Sequence, residues 1–141
     1  MGTRYAEGTA VTVESSRGEI TGILAKHGVM EMGWQTGPTG DRLLFKLAGR
    51  SYLFAIDKPT MTEVRALYPN ARDDNAKWNG EWRRRWRANV LLIKAKLEFA
   101  SGGDTTAERE FMPYLLVPGG GTLADWLESE QGGRKLLLGA G

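Results

Sequence analysis

The segment from about Asp74 to Ser101 constrains the fold most, because it predicts one long amphipathic helix. At about 100° per residue, the large apolar side chains of this segment fall within one stripe. The stripe consists of Trp78, Trp82, Trp86, Ile93 and Leu97, with Val90 at its edge. Such a stripe has to be buried against other elements, so we interpret the tryptophans as core residues.

The second half of this helix predicts further packing partners. From Ala88 to Ile93 the helix is apolar almost all round, so this stretch needs cover on more than one side. Two arrangements satisfy that demand. The stretch is either sandwiched between a sheet and the C-terminal segments, or it forms a seam of self-association.

Three strand candidates follow one another closely at residues 29–35, 42–47 and 51–56. The intervals between them are too short for a crossover, so the strands are predicted to be antiparallel. Residues 114–117 form a candidate fourth strand. The predicted fold class is therefore α+β, with a small antiparallel sheet of three to four strands packed against one long amphipathic helix, together with short additional helices.

The N-terminal region allows two interpretations. Residues 9–14 contain several β-branched side chains in an alternating pattern, which predicts a short strand. Ser16 and Glu19 then resemble a capping box. The residues that follow at helical spacing are Ile20, Ile23, Leu24 and His27, with Gly28 placed to end the helix. We favour the helix, and a hairpin that turns at residues 15–18 is the alternative.

Three further short helices are indicated by local signals. Residues 61–67 form the first candidate, between two prolines. Asp104 or Thr105 is placed to cap a second helix after a pair of glycines. Thr122 with Asp125 three residues later is placed to start the third.

The composition is that of an ordinary folded domain. With 141 residues, 41% of them hydrophobic and 26% charged, the chain predicts a single α+β domain over residues 1–141, with 1–8 and 134–141 as candidate flexible tails. It contains no cysteine, which excludes disulfides and thiolate metal sites. Its single histidine, His27, excludes sites built from a pair of histidines and most zinc sites. No apolar run approaches the length of a membrane span, and a cytoplasmic location is expected. The apolar residues 136–138 need cover from this chain or a neighbour.

The charge is distributed unevenly. The formal net charge is only +2. The segment from Arg72 to Lys96 holds eight basic and three acidic residues and so carries +5, which leaves −3 for the remainder. A chain divided in this way has a basic region suited to a polyanion and an acidic remainder.

The candidate binding residues lie in this basic region. They are Arg83, Arg84, Arg85, Arg87 and Lys94. Guanidinium and ammonium groups on one helix are suited to contact phosphates, and a neighbouring tryptophan could stack on an unpaired base. The alternative is a rim of solvated or ion-paired arginines around a tryptophan core. Glu81 is placed to pair with Arg85 four residues later.

No catalytic centre is indicated, and neither a cofactor nor a metal is expected. The chain lacks a phosphate-binding loop, and its glycine run at residues 119–121 has no following lysine. Glu31, Asp41 and Asp57 lie at or near strand ends, so a magnesium-dependent nuclease is a distant third hypothesis.

The chain resembles a family of small, uncharacterised proteins encoded by bacteriophages and prophages. The resemblance lies in the sequence from Arg84 to Ala88 followed by Ile93 to Glu98, in the Ser-x-x-Glu-Ile segment at residues 16–20, and in the turn and tryptophan helix at residues 118–126. It implies a phage origin, with the host cytoplasm as location, and it implies no particular activity.

Two functions follow from these observations as hypotheses. The leading one is a non-enzymatic accessory protein of phage DNA metabolism that binds nucleic acid, single- or double-stranded, through the arginine-rich helix. The alternative is a protein-protein interaction module, either an inhibitor of a host factor or a homo-oligomeric assembly subunit. It would use the apolar second half of the helix and the tail at residues 136–138.

Overall fold

Helices cover one face of a small antiparallel sheet in the computed structural model, which describes residues 4–129. The major elements are α1 (Val13–Lys26), β1 (Met32–Gly37), β2 (Gly40–Leu47), β3 (Arg50–Asp57), α2 (Met61–Leu67), α3 (Asp74–Ser101), α4 (Ala107–Glu110) and α5 (Leu123–Glu128), with a 3₁₀ turn at Met112–Tyr114. This is the predicted α+β fold. Within the described range, none of the helices has the length and apolarity needed to cross a bilayer.

The three strands form two consecutive hairpins in the order β1-β2-β3. The pairs Leu43 with Phe54 and Phe45 with Tyr52 face the helices. The pair Leu44 with Leu53 lies on the opposite face, where Leu44 is exposed. The predicted antiparallel arrangement is thus confirmed. In place of a full fourth strand, Leu115 forms a single bridge with Tyr52 at the outer edge of β3.

The helix predicted near the N-terminus is confirmed as α1, but it begins earlier than predicted. The strand predicted at residues 9–14 was wrong, because the helix already starts at Val13. The Thr12 hydroxyl accepts a hydrogen bond from the backbone N–H of Ser15 and so caps the helix. Val13 then packs against the same core as Ile20. Ser16, expected as the cap, is instead buried inside the helix.

Helix α3 has the predicted bounds and buries the predicted stripe. Asp73 caps its start by accepting a hydrogen bond from the Ala76 N–H. The buried apolar side chains are Trp82, Trp86, Val90, Ile93 and Leu97, and Trp78 packs beside them. Helix α1 lies along one side of α3, and α2 and α4 lie against it as well. The buried side chains in the second half of α3, which are Val90, Ile93 and Leu97, are therefore covered by other parts of the same chain.

Each of the short helices α2, α4 and α5 begins directly after a threonine whose hydroxyl caps it. Helix α2 occupies the predicted residues 61–67. Helix α4 begins after Thr106 and not after Asp104 or Thr105, because the Thr106 hydroxyl accepts from the Arg109 N–H. Helix α5 begins at the predicted box of Thr122 and Asp125. The candidate tail at residues 134–141 and the apolar residues 136–138 lie outside the described residues.

Candidate nucleic-acid interface

Two of the predicted arginines share a buried carboxylate on their own helix. Glu81 is only 1% exposed. Its oxygens lie 2.8 Å from Nε of Arg84 and 3.2 Å from Nε of Arg85, and 2.9 Å from Nη2 of Arg4 at the N-terminus. The predicted pairing of Glu81 with Arg85 is confirmed. Glu81 is therefore the centre of a cluster that ties residue 4 to the long helix.

The environment of Glu81 keeps it ionised. Burial by itself would raise the pKa of this carboxyl group, but hydrogen bonds from Arg84, Arg4 and Arg85 outweigh that effect and lower the pKa from 4.5 to about 2. A phosphate that drew Arg84 away would leave a buried carboxylate with one partner fewer, which is costly. The arginines of this cluster thus have a structural role.

Arg85 and Arg87 have further acidic partners in other elements. Nη2 of Arg85 lies 2.6 Å from the Glu63 carboxylate of α2, and Nη1 donates to the Asp57 carbonyl oxygen at 3.1 Å. Arg87 forms an ion pair with Glu19 of α1. Both arginine side chains are about one-fifth exposed, at 20% and 22%. They hold α3 against its neighbours.

Arg83 and Lys94 differ from the other predicted residues. Neither side chain forms a hydrogen bond or an ion pair with any residue between 4 and 129. Arg83 is half-buried and Lys94 is exposed. Eleven residues of helix separate them, a rise of about 16 Å along α3. These are the predicted residues whose charge is not already matched inside the described part of the chain.

Arg83 lines an open cleft of about 400 Å³ between the start of α1, the β1-β2 hairpin and α3. Its lining residues are Thr12, Val13, Glu14, Arg17, Thr36, Asp41, Lys58, Asn79, Trp82 and Arg83. The side chain of Lys58 is half-buried, and it too has no hydrogen-bonding or ion-pair partner in the described chain. Arg83 and Lys58 thus reach one cleft from different elements, although 25 positions separate them in the sequence.

Arg17 lines the same cleft and contacts three other side chains. Its Nη2 lies 2.8 Å from the carboxylate of Asp41, which is 4% exposed. Its guanidinium carbon lies 5.1 Å from the ring centroid of Trp86 and 5.6 Å from that of Trp34, within cation-π range. Arg17 therefore has an acidic partner and two aromatic contacts within the chain, whereas Arg83 and Lys58 have no acidic partner among residues 4–129.

The charge of the cleft is positive by a small margin. Arg17, Lys58 and Arg83 supply three cations, and Glu14 and Asp41 supply two carboxylates. Asp41 is paired with Arg17, so among residues 4–129 the exposed Glu14 at the rim is the remaining carboxylate that lines the cleft with Arg83 and Lys58. This arrangement suits an anion bound in the cleft that Arg83 and Lys58 line.

Sequence reasoning missed Arg17 and Lys58. Neither belongs to a run of basic residues, and they lie 66 and 25 positions before Arg83. No local pattern in the sequence indicates that these residues meet. Only the packing of α1 and the sheet against α3 brings them together.

The apolar surface that α3 offers to a protein partner is smaller than the sequence suggested. Val90, Ile93 and Leu97 of the apolar half lie in the core. Leu92 and Phe99 are exposed, at 38% and 52%. The sandwiched arrangement therefore describes the buried side of this half of α3, and Leu92 and Phe99 lie outside it.

Two of the three acids considered for a nuclease form ion pairs with basic side chains. Asp41 pairs with Arg17, and Glu31 pairs with Lys46 at 3.3 Å. Among residues 4–129, no three acidic or histidine side chains are grouped so that they could hold a metal ion.

Comparison of the chain with models of protein families, with curated proteins and with solved structures gave no match. We therefore infer what the chain binds from the geometry of the cleft and of α3.

Proposed function

We propose that this chain is a non-enzymatic nucleic-acid-binding protein that holds the phosphate backbone at the cleft formed by Arg83, Lys58 and Arg17. The main support is that Arg83 and Lys58 line one open cleft and that neither has an acidic partner in the described chain. An accessory role in phage DNA metabolism, as the resemblance to phage proteins implies, is part of the proposal.

Phosphate is the ligand group that this site suits best. A guanidinium group donates to two phosphate oxygens at once, and an ammonium group adds a point charge beside it. Asn79 and Thr36 line the same cleft with exposed polar side chains. These groups bind an anion and its polar surroundings without reading a base.

A continuous polyanion fits the arrangement better than an isolated anion does. Lys94 lies about 16 Å from Arg83 along α3, on the same side of the helix. A nucleic-acid strand that enters the cleft and follows α3 reaches both. Arg87 lies between them, and its pair with Glu19 keeps it in place.

The tryptophans near the cleft are too buried to recognise bases. Trp82 lines the cleft but is only 9% exposed, and Trp86 is fully buried. Buried indole rings have no free face on which a base can stack. We therefore expect binding with a weak sequence preference and a clear salt dependence.

The test is a salt-titrated anisotropy measurement on the full chain with labelled single-stranded DNA, duplex DNA and RNA. Between about 20 and 200 mM salt, two to three phosphate contacts give a slope of roughly −2 in log affinity against log salt. Arg83→Ala is expected to weaken binding and to reduce that slope by about 1. Lys58→Ala is expected to act in the same direction.

Two variants provide matched controls. Lys26→Ala removes an exposed cation from α1 about 14 Å along the helix from Arg17 and is expected to leave binding nearly unchanged. Glu14→Gln removes the carboxylate at the rim of the cleft and is expected to strengthen binding. The proposal fails if no nucleic acid binds at low salt, or if Arg83→Ala has no greater effect than Lys26→Ala.

A further inference from the structure

Strand β1 forms an edge of the sheet that no other described segment covers. It pairs with β2 on one side only. At the opposite edge of the sheet, the Leu116 N–H donates to the Ser51 carbonyl oxygen and covers part of β3. The edge at β1 therefore presents unpaired backbone groups.

The pairing pattern identifies these groups. The Lys46 N–H donates to the Glu31 carbonyl oxygen, so residue 31 turns its backbone groups toward β2. Because antiparallel pairs alternate, residues 33 and 35 do the same. The N–H and C=O groups of Met32, Trp34 and Thr36 consequently point away from the sheet.

This edge lacks the features that usually prevent strand addition. Residues 32–37 contain no charged residue and no proline, whereas protected edges carry lysine, proline or a bulge. The flanking Met30 is 89% exposed, and Leu44 beside Gly33 is 46% exposed. An uncharged open strand bordered by exposed apolar side chains is suited to pairing with another strand.

We propose that β1 pairs antiparallel with β1 of a second copy of this chain, joining the two sheets into one. A two-fold axis at Trp34 places this residue opposite itself and Met32 opposite Thr36 of the other copy. In this register every outward N–H and C=O of the three residues finds a partner. The edge is thus complementary to itself.

Charges near the edge support a second copy as the occupant. In the proposed register Glu31 lies opposite Gly37, and Met30 lies opposite Pro38. Glu31 already pairs with Lys46 of its own chain. Two copies therefore approach without opposing like charges, and the pairing does not depend on the proposed nucleic-acid binding.

The test measures the mass of the full chain by sedimentation equilibrium from about 1 µM to 1 mM, since assembly follows concentration. Amide hydrogen exchange is measured in parallel. We expect a monomer-dimer equilibrium in which the amides of Met32, Trp34 and Thr36 become protected as concentration rises. The amides of Gly33 and Gln35 are expected to be protected at every concentration.

Two variants address the edge directly. Thr36→Pro removes one outward N–H and leaves the ladder to β2 intact, and it is expected to weaken dimerisation at least tenfold. Thr36→Val keeps that N–H and is expected to dimerise normally. Gly33→Lys adds a charge at the edge in a position where a Cβ meets open space, and it tests the same surface if the proline variant does not fold. A chain that stays monomeric throughout overturns the proposal, as does a dimer that persists in Thr36→Pro and Gly33→Lys without protection of the outward amides.

Discussion

Glu81→Gln is the substitution that tests the arginine cluster of α3 most directly. The side chain keeps its size but loses the charge that three arginines share: Arg4, Arg84 and Arg85. Because Glu81 is 1% exposed, water cannot replace those contacts. The variant therefore reports what the ionised carboxylate contributes to stability.

The expected magnitude follows from the pKa of Glu81. Its displacement from 4.5 to about 2 corresponds to about 3 kcal/mol, at about 1.36 kcal/mol per pKa unit. The folded-state pKa lies below the unfolded value, so this stability is fully present above about pH 4.5. It is lost as the pH falls from 4.5 toward 2, because the carboxyl group is then protonated in the unfolded state first.

Urea unfolding of the native chain and of Glu81→Gln, in steps from pH 7 to pH 3, measures this contribution. We expect a difference in the free energy of unfolding of about 3 kcal/mol at pH 7, shrinking as the solution becomes acidic. Glu63→Gln is the matched control, since it also removes a partner of Arg85 but lies at the surface, and its effect is expected to be much smaller. A difference below about 1 kcal/mol at pH 7, or one that stays constant over this pH range, would refute the reasoning.

Two further predictions concern the sheet and α1. Arg17→Ala leaves the buried carboxylate of Asp41 without its ion-pair partner and is expected to lower the free energy of unfolding by about 3 kcal/mol in urea. Arg17→Lys is expected to recover part of that loss, and equal losses in both variants would count against the ion pair. Gly40→Ala places a Cβ 2.5 Å from the Ile56 carbonyl oxygen, so its Tm should fall by an amount corresponding to roughly 1–3 kcal/mol. Gly22→Ala, whose Cβ meets open space on α1, should raise Tm, with a gain of up to about 1 kcal/mol. An unchanged Tm for Gly40→Ala would contradict the close approach.

The sequence alone determined the main elements of the fold. The stripe from Trp82 to Leu97 repeats at helical spacing, and this spacing is a local property that persists in the folded chain. The short intervals between the strand candidates likewise left antiparallel pairing as the only connection. Near its N-terminus α1 was harder to predict, because Thr12 and Ser16 both offer a capping hydroxyl and only packing of Val13 on the core selects Thr12.

Only the tertiary structure decided which arginines are paired with acidic side chains and which can bind a ligand. Five basic residues of α3 look alike in the sequence, yet Arg87 meets Glu19 from 68 positions away, and Arg85 meets Glu63 from 22 positions away. Arg83 instead reaches a cleft that also contains Lys58. Helical periodicity is set by residues within four positions of each other, so it predicts which face is buried. The partner of a long charged side chain depends on which elements pack beside that face, and this is settled only when the chain folds.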